Sequence, residues 1–342
     1  MVQLLVSIRG EEPDPGMSRF QPIDSPTSEI AEAIEEAQHV AGALRENIGT
    51  VVRGKASEIR LVIAAFTAGG HILLEDVPGT AKTVLARAMA GSIEGAVPSR
   101  VQCTPDLQPI DITGLSIYDQ PSRSFVFRPG PVFANILLVD EINRAMPKTQ
   151  SALLEAMAES QVTVDGETRK LDSPFLVLAT ENPLEHAGTF PLPEAQLDRF
   201  FIRMRLGYPS LEDEVDILEA QVVRHPLADL QAVTTLEEVR RLQQSVEHVY
   251  IAPSLRRWIV SLVAATREVE ASRVGASVRG SLTLDRLARS WALLAGRHYV
   301  VPDDVEFLFP FVIDHRLILR PSLNGRPDVW QACVALAPRP GS

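Results

Sequence analysis

The chain has 342 residues, enough for about two or three domains, and a composition of 45% hydrophobic and 23% charged residues excludes a fibrous or disordered protein. Its 44 acidic residues outnumber its 33 lysines and arginines, and the net charge of -11 disfavours nonspecific attraction to nucleic acid. The uncharged apolar stretches are far shorter than the roughly 20 residues of a membrane span, so we expect a soluble protein.

Residues 1–28 are predicted to form a mobile leader. Most of them lie in a stretch that is rich in Pro, Ser, Asp and Glu and shows no apolar period, and Ser28 is placed to cap a following helix. The opening apolar run has no basic segment before it and no cleavage site after it, so we do not expect a signal peptide. Cys103 and Cys333 form no Cys-x-x-Cys pair, which favours two buried thiols in a reducing cytoplasm over a disulfide or a zinc site.

The next part of the chain alternates helical and strand patterns. Apolar residues recur at three- and four-residue steps over 29–48, which predicts an amphipathic helix that Gly49 ends. Strands that alternate with helices indicate a five-stranded parallel sheet in an α/β fold. The short apolar runs that predict these strands lie at 71–75, 100–103, 135–140, 174–180 and 200–206.

Two segments interrupt this alternation and are interpreted as insertions into the α/β core. Residues 104–131 carry Pro, Gly and aromatic residues, and residues 161–171 alternate around Asp165-Gly166, a typical hairpin turn. Both lie between predicted strands, so neither should disturb the sheet.

After residue 210 the strand pattern stops and the chain is predicted to be helical to about residue 319. The clearest apolar periods lie at 211–224, 254–270 and 281–297. The predicted domains are therefore a leader at 1–28, an α/β core at 29–208, a helical lid domain at 209–335 and a tail at 336–342.

The first predicted strand leads into a sequence typical of a phosphate-binding loop. The segment Asp76-Val-Pro-Gly-Thr-Ala-Lys-Thr83 lies between a strand and a helical stretch, as the motif G-x-x-x-x-G-K-[ST] requires. Its backbone N–H groups can bind phosphates, while Lys82 supplies a charge and Thr83 a hydroxyl for Mg²⁺. Asp76 and Ala81 replace the motif's glycines: Asp76 must point away from the phosphates, and Ala81 is tolerable if its φ is negative. A plain loop before a helix is the alternative interpretation.

Two carboxylates follow the third predicted strand. Its apolar run ends in Asp140-Glu141, at the edge of a parallel sheet where ligands bind. Asp140 can hold Mg²⁺ through its water shell, and Glu141 can take a proton from an attacking water. A solvated acidic turn is the alternative, but it needs neither the apolar run nor the Lys-Thr loop upstream.

Three further polar residues each allow a functional and a structural interpretation. Asn182 follows the fourth predicted strand, where its amide could orient the attacking water or cap a helix. Arg199 precedes the fifth strand and could offer a cation to a neighbouring subunit's γ-phosphate or form a surface ion pair. Arg279 in the helical domain faces the same choice, and basic residues there are usually solvated.

Together these motifs resemble those of AAA+ ATPases of the MoxR family. The matching segments are 73–83, 127–133, 140–145, 148–157, 179–183 and 190–200, and the similarity extends from about residue 29 to residue 319. The resemblance implies that Lys82 and Thr83 belong to Walker A, Asp140 and Glu141 to Walker B, Asn182 to sensor 1, Arg199 to the arginine finger and Arg279 to sensor 2. It makes residues 104–131 the helix-2 insert and residues 161–171 the hairpin before sensor 1.

The same resemblance implies a binding site for ATP and Mg²⁺ in which residues 51–54 pack on adenine. Glu181 departs from the family pattern, where Gln is frequent, and Val278 stands where Pro is frequent before the sensor 2 arginine. The candidate nucleotide-binding residues are Val52, Asp76, Val77, Pro78, Gly79, Thr80, Ala81, Lys82, Thr83 and Val84, with Thr83 and Asp140 at the metal.

For function, the resemblance implies an ATPase that forms a homo-oligomeric ring, as a hexamer, and remodels or matures a partner protein. The cysteine usage favours the cytoplasm as its location. In this family the usual partner carries a von Willebrand factor A domain. Helix-2-insert ATPases also include helicase relatives, but the acidic charge and the lack of an added DNA-binding module weigh against a nucleic-acid motor. A nucleotide-gated scaffold without hydrolysis is disfavoured by the intact Asp140-Glu141 pair.

Overall fold

The computed structural model describes residues 28–77, 79–183, 188–221, 226–320 and 328–340. The predicted leader therefore lies, except for Ser28, outside the described residues. The described strands are β1 (Ile72–Glu75), β2 (Ile93–Glu94), β3 (Pro98–Gln102), β4 (Gly114–Asp119), β5 (Ser124–Pro129), β6 (Ile136–Asp140), β7 (Gln161–Val164), β8 (Glu167–Lys170), β9 (Leu176–Glu181), β10 (Ile202–Met204), β11 (Thr234–Thr235), β12 (Ser272–Val274) and β13 (Ile318–Leu319).

The described helices alternate with these strands in the first part of the chain and dominate the rest. They are α1 (Ser28–Val51), α2 (Ala56–Thr67), α3 (Lys82–Gly91), α4 (Pro109–Thr113), α5 (Pro147–Glu159), α6 (Glu194–Leu197), α7 (Leu211–Gln221), α8 (Leu236–Ser245), α9 (Pro253–Glu268), α10 (Val278–Leu294), α11 (Pro302–Ile313) and α12 (Val329–Leu336). Within the described parts of the chain, no helix combines the length and the apolar character needed to cross a membrane.

The core is a five-stranded sheet in the order β10-β1-β9-β6-β3. Every neighbouring pair in it is parallel, which confirms the α/β fold predicted from the five apolar runs. The register sets Glu75 opposite Glu181 and Gln102 opposite Asp140. The carboxyl ends of β1, β9, β6 and β3 therefore meet at one edge, where the predicted site residues follow the strands.

Apolar side chains fill both faces of this sheet. All five residues of β6 are buried, as expected of a parallel strand that is covered by helices on both sides. Because side chains alternate along a strand, Leu73 packs in one buried cluster with α5, while Ile72 and Leu74 pack in a second with α1 and α2. The second cluster continues into α8–α12, so apolar packing joins the sheet to the C-terminal helices.

The first helix runs further than predicted. Its apolar period is buried as expected, but α1 passes Gly49 and ends at Val51, and Val52 N–H still donates to Ile48 O at 2.9 Å. A glycine inside a helix costs only about 1 kcal/mol relative to alanine, and burial of Ile48 and Val52 outweighs that cost. The left-handed glycine lies later, at Gly54, with φ 70°.

Both segments interpreted as insertions lie outside the five-stranded sheet. Residues 104–131 contain α4 and the antiparallel hairpin β4–β5. The second insertion is the hairpin β7–β8, whose turn residues Asp165 and Gly166 have φ of 54° and 79°. Two positive φ values are what a tight two-residue hairpin turn requires.

The C-terminal part is largely helical, and its predicted helices correspond to α7, α9 and α10. The expectation that strands stop after residue 210 is wrong in detail, because β11 pairs with β2 and β12 pairs with β13. These strands have only two or three residues, too few for a sequence pattern. α10 begins at Val278, three residues earlier than predicted, because the Ser277 hydroxyl accepts from Arg279 N–H and caps the helix.

Candidate nucleotide-binding site

The loop between β1 and α3 opens the amino end of a helix toward a cavity. Backbone bonding in α3 begins with Leu85 N–H, which donates to Ala81 O at 2.9 Å, so the preceding N–H groups have no partner within the helix. Lys82, Thr83 and Val84 carry those groups and line a cavity of about 400 Å³. The positive helix end and its open N–H groups form an arrangement that binds anions.

Glycine and alanine take unusual conformations in this loop. Gly79 has φ 88°, and the space that a Cβ would occupy there holds no atom within 4 Å. Ala81 has φ 61° and ψ 19°, so the negative φ that would make an alanine tolerable at this position is not found. The chain must turn sharply to start α3 at Lys82, and this turn holds Ala81 in the left-handed region that glycine would occupy at less cost. Pro78 lies outside the described residues.

The ammonium of Lys82 lies inside the loop. Its Nζ donates to Val77 O at 2.7 Å, to Asp76 O at 3.3 Å and to the Thr80 hydroxyl at 3.2 Å. Burial lowers the pKa of Lys82, while the carboxylates of Asp76, Asp140 and Glu141 act in the opposite direction. Phosphate oxygens are stronger acceptors than these neutral oxygens, so the ammonium is suited to bind them.

Asp76 points away from the cavity centre, as a carboxylate beside a phosphate site must. Its Oδ2 accepts from Leu206 N–H at 2.5 Å and from Gly207 N–H at 3.2 Å. Asp76 is only 6% exposed. The side chain therefore fastens the start of the loop to the chain that leaves β10.

The carboxylates of Asp140 and Glu141 lie at the end of β6 and are held by different neighbours. Asp140 accepts from Arg100 Nε at 2.7 Å and from the Thr180 hydroxyl at 3.4 Å. Glu141 accepts from Gln102 Nε2 at 3.1 Å, and its backbone N–H donates to the same Thr180 hydroxyl at 2.9 Å. Thr180 thus fixes the two acidic residues relative to each other.

The structure brings most of the predicted residues to one place. Lys82, Thr83, Asp140, Glu141 and Asn182 line the same cavity. Among the described residues, no group of three or more His, Cys, Asp or Glu side chains could hold a metal ion. A single carboxylate with a nearby hydroxyl fits Mg²⁺, which is usually bound by one or two carboxylates together with substrate phosphates.

Sequence reasoning missed Arg100, Gln102 and Thr180, which also line this cavity. All three lie near the carboxyl ends of β3 and β9, the strands on either side of β6. The rule that ligands bind at this edge of a parallel sheet could have identified them once the strand order was known.

A second cavity, of about 430 Å³, adjoins the first. The two share Gly79, Thr80, Ala81 and Val84 as lining residues. Its other walls come from residues 51–53, from the segment 207–209 and from α7. The cavity at Lys82 holds both cationic and acidic side chains, and a phosphate-binding loop joins it to the apolar cavity. This arrangement fits a nucleotide with the base beside Val52 and the phosphates, with their metal ion, beside Lys82.

Arg199 and Arg279 are not part of either cavity. They line a third one, of about 690 Å³, together with Asp198, Arg286 and Arg316. Within the described parts of the chain, neither the Arg199 nor the Arg279 guanidinium makes a hydrogen bond or an ion pair. The structure therefore places these two cations together but apart from Lys82.

The fold and this site define a P-loop ATPase of the AAA+ class with a helical lid. Residues 71–202 match the model of the ATPase family associated with various cellular activities (AAA), and residues 264–331 match the AAA lid domain. Chaperone MoxR1 of Mycobacterium tuberculosis (strain ATCC 25618 / H37Rv) is 41% identical over 298 residues, which is 84% of this chain and 78% of the relative. The chain belongs to the MoxR family of AAA+ ATPases.

Two further comparisons agree with that assignment. The uncharacterized protein YeaC of Bacillus subtilis (strain 168) is 49% identical over 287 residues, which is 84% of this chain and 89% of YeaC. A crystal structure of a candidate ATPase from Cytophaga hutchinsonii ATCC 33406 is 35% identical and superimposes with a TM-score of 0.81. That alignment covers 90% of this chain and 98% of the solved one.

Proposed function

We propose that this chain is a Mg²⁺-dependent ATPase that works in the cytoplasm as a homo-oligomeric ring, a hexamer, and uses ATP to remodel or mature a partner protein. The observation that carries the ATPase proposal is the single cavity that Lys82, Asp140, Glu141 and Asn182 line beside the apolar cavity at Val52. These side chains supply a phosphate ligand, a metal ligand, a base and a water-orienting amide in one place.

Each of these residues has a separate task in hydrolysis. Lys82 and the open N–H groups of α3 bind the phosphate chain, while Thr83 and Asp140 would hold Mg²⁺, which when bound neutralises phosphate charge. Glu141 accepts a proton from the attacking water, and Asn182 orients that water. Gln102 holds the Glu141 carboxylate at 3.1 Å, which keeps the base at the cavity wall.

The ring proposal is supported by the separation of the two cations from the nucleotide cavities. Arg199 and Arg279 lie in a cavity of their own and have no acidic partner among the described residues. In a ring of identical subunits, one face of each subunit meets a different face of the next. Arg199 and Arg279 would then complete the site of the neighbouring subunit, where cations stabilise the charge of the transferring phosphoryl group.

The partner proposal depends on the family. Its relative MoxR1 is named a chaperone, and the family resemblance points to a partner with a von Willebrand factor A domain. A net charge of -11 favours a protein partner over nucleic acid. A Glu141→Gln variant should bind ATP without releasing phosphate, so it should retain such a partner with ATP and release it with ADP. Equal retention with both nucleotides would contradict a coupled cycle.

Phosphate release tests the ATPase proposal. We expect Mg²⁺-dependent turnover that falls about 10²–10⁴-fold in Glu141→Gln, because a positioned base contributes that much, while ATP affinity is retained. Glu155→Gln is the matched control, since Glu155 is an exposed carboxylate on α5. Near-normal turnover in Glu141→Gln would remove Glu141 from the mechanism.

A further inference from the structure

The carboxylate of Asp198 joins the two segments that carry Arg199 and Arg279. Its Oδ1 accepts from Arg316 Nε at 2.7 Å, and its Oδ2 accepts from the Ser277 hydroxyl at 3.0 Å. Asp198 directly precedes Arg199 in the chain. Ser277 caps α10 through a bond from Arg279 N–H at 3.1 Å. One side chain therefore links the backbone beside Arg199 to the helix end that holds Arg279.

Arg316 holds the same segment from the opposite side. It lies in the 3-10 turn Asp314–Arg316 after α11, and its side chain is only 2% exposed. Its guanidinium donates to the backbone carbonyls of Asp198 at 3.3 Å, Phe200 at 2.7 Å and Phe201 at 3.2 Å. Because a guanidinium is planar and its donors have fixed directions, these bonds fix the backbone on both sides of Arg199.

Arg316 also reaches α10, the helix of Arg279. Its Nη2 lies 3.4 Å from the Thr283 hydroxyl, and it bonds to Val312 O in α11. Burial lowers the pKa of Arg316, the carboxylate of Asp198 opposes that change, and the nearby charge of Arg279 adds to the lowering. Arg279 and Arg316 are thus close enough to interact electrostatically, although they come from different helices.

A buried ion pair of this kind does not by itself favour folding. The desolvation of two charges can exceed their mutual attraction, and an apolar pair of the same volume is often as stable. The pair Asp198–Arg316 does supply directional bonds, and those to the carbonyls of Asp198 and Phe200 hold the segment next to Arg199. Arg199 itself makes no side-chain bond within the described residues, so its orientation depends on its backbone.

We propose that Asp198 and Arg316 are positioning residues for Arg199, and that Ser277 ties Arg279 to the same carboxylate, so that both arginines are presented to the neighbouring subunit as one unit. This inference rests on the proposed role of Arg199 at the neighbouring site. Catalysis by a positioned group is sensitive to small displacements, and an error of about 1 Å can cost on the order of 10²-fold in rate.

Turnover kinetics of Asp198→Ala test the proposal. We expect kcat to fall about 10–10²-fold, with KM and nucleotide affinity unchanged, because the nucleotide cavities of the same subunit do not involve Asp198. In a background that carries both Arg199→Ala and Arg279→Ala, Asp198→Ala should cost no further rate, since its effect passes through these two arginines. A merely structural role would instead add to the loss.

Asp198→Ala leaves the buried Arg316 charge without its partner, so milder variants keep the test valid. Asp198→Asn retains the shape, and Ser277→Ala alters an exposed residue. We expect Ser277→Ala to lower kcat about 2–10-fold, by the same displacement argument, and Ser277→Asn to restore it, because asparagine can both cap the helix and donate to Asp198. Thr235→Ala removes the matching cap of α8 and should leave kcat unchanged.

The outcomes separate this inference from the proposed function. One outcome is that Arg199→Ala is slow, whereas Asp198→Asn and Ser277→Ala fold, assemble and turn over at the rate of the original protein. In that case the positioning role is wrong and the arginine finger stands. If Arg199→Ala itself keeps full turnover, the finger fails and this inference fails with it. A further loss from Asp198→Ala in the variant that already lacks both arginines, Arg199→Ala with Arg279→Ala, would also overturn the positioning role.

Discussion

Two residues of the site, Ala81 and Glu141, hold their backbones in the left-handed region, with φ of 61° and 56°. For an L-amino acid with a side chain this conformation costs roughly 1–2 kcal/mol. Such residues cluster at functional sites, where the surrounding structure maintains them. At Glu141 the bond from its backbone N–H to the Thr180 hydroxyl contributes to that support. The sequence predicted both residues as functional but gave no sign of their conformation.

Ala81→Gly should therefore stabilise the protein by about 0.5–1 kcal/mol. Glycine adopts the left-handed backbone conformation without its steric cost, which stabilises the folded state. Glycine also raises the conformational entropy of the unfolded chain, but that effect on the free energy of unfolding is smaller. Denaturant unfolding measures the change. Ala86→Gly, at a buried helical position in α3, is the control and should destabilise by about 1 kcal/mol. A similar loss in both variants would show that Ala81 is not strained.

Lys82→Ala should weaken nucleotide binding itself. The ammonium is the cationic side chain that the loop directs inward, and a hydrogen bond to a charged group contributes about 1.5–3 kcal/mol, or roughly 10–10²-fold in Kd. Titration with a fluorescent ATP analogue measures the effect. Lys148→Ala, at an exposed position of α5, should bind like the original protein. An unchanged Kd in Lys82→Ala would mean that the loop does not bind phosphate.

Glu181 should make the protein less stable as the pH rises. Burial and the neighbouring charge of Glu75 raise the pKa of Glu181 to about 7, while Arg203 opposes them. The folded state then binds a proton more tightly than the unfolded state, so stability is lost as the pH rises from about 4.5 to about 7. Glu181→Gln should thus stabilise by about 2 kcal/mol at pH 8 and far less at pH 5. A gain that is equal at both pH values would contradict this.

At the scale of the elements, burial decides which predictions succeed. β1, β6 and β9 could be predicted because each is an apolar run that is buried in the sheet. In β3 only Val101 is buried, so its prediction depended more on its place between two helical patterns. β11 could not be predicted, because its two residues are too few for a pattern and pair with β2 where α1 and α8 pack together. The start of α10 depends on the Ser277 cap, and the same hydroxyl also donates to Asp198 from a distant part of the chain. A sequence pattern does not show such shared contacts.

The site residues differ in how far they could be predicted from the sequence. Lys82, Asp140 and Glu141 are recognised from local motifs, because each follows directly from a strand or starts a helix. Arg100 and Thr180 are recognised only through the strand order, which places β3 and β9 beside β6. The local sequence predicts site residues that lie at the end of a strand or the start of a helix with a recognisable motif. Site residues on a neighbouring strand can be identified only when the strand order is known.

His71 connects three elements and should make the protein sensitive to acid. Its Nδ1 accepts from Val177 N–H of β9 at 3.0 Å, and its Nε2 donates to Met157 O of α5 at 3.1 Å. Burial lowers the pKa of His71 to about 4. The unfolded state therefore binds the proton more tightly, and stability is lost as the pH falls from about 6.5 to about 4.

Unfolding free energies at pH 7.5 and pH 5 measure this effect. His71 should contribute a loss of about 2 kcal/mol at the lower pH, which His71→Gln should remove. Glu181 acts in the opposite direction over the same range, so each contribution is taken as the difference between a variant and the original protein. An identical pH dependence with and without His71 would show that this ring does not remain neutral in the folded state.

At the scale of the whole molecule, the proposed ring would divide the site between two surfaces of each subunit. The nucleotide cavities lie at the edge of the sheet and beside α7, while Arg199 and Arg279 lie in a separate cavity that α10 helps to line. A monomer would hold its nucleotide without these cations. Contact between one surface of a subunit and the other surface of the next would bring the two arginines to the bound nucleotide. Repetition of that contact closes a ring if the rotation between successive subunits allows it.

Mixed rings test this division. Arg199→Ala and Lys82→Ala should each be nearly inactive alone, the first because an arginine finger contributes about 10³–10⁵-fold to turnover in related P-loop enzymes. A mixture should regain activity, because a Lys82→Ala subunit can present an intact Arg199 to the intact Lys82 site of its neighbour. Lys82→Ala mixed with Glu141→Gln is the control and should stay inactive. Lys82 and Glu141 line the same cavity of one subunit, so every site in that mixture keeps one of the two defects. If assembled mixtures of Arg199→Ala and Lys82→Ala stay inactive at every ratio, Arg199 does not act across the subunit boundary.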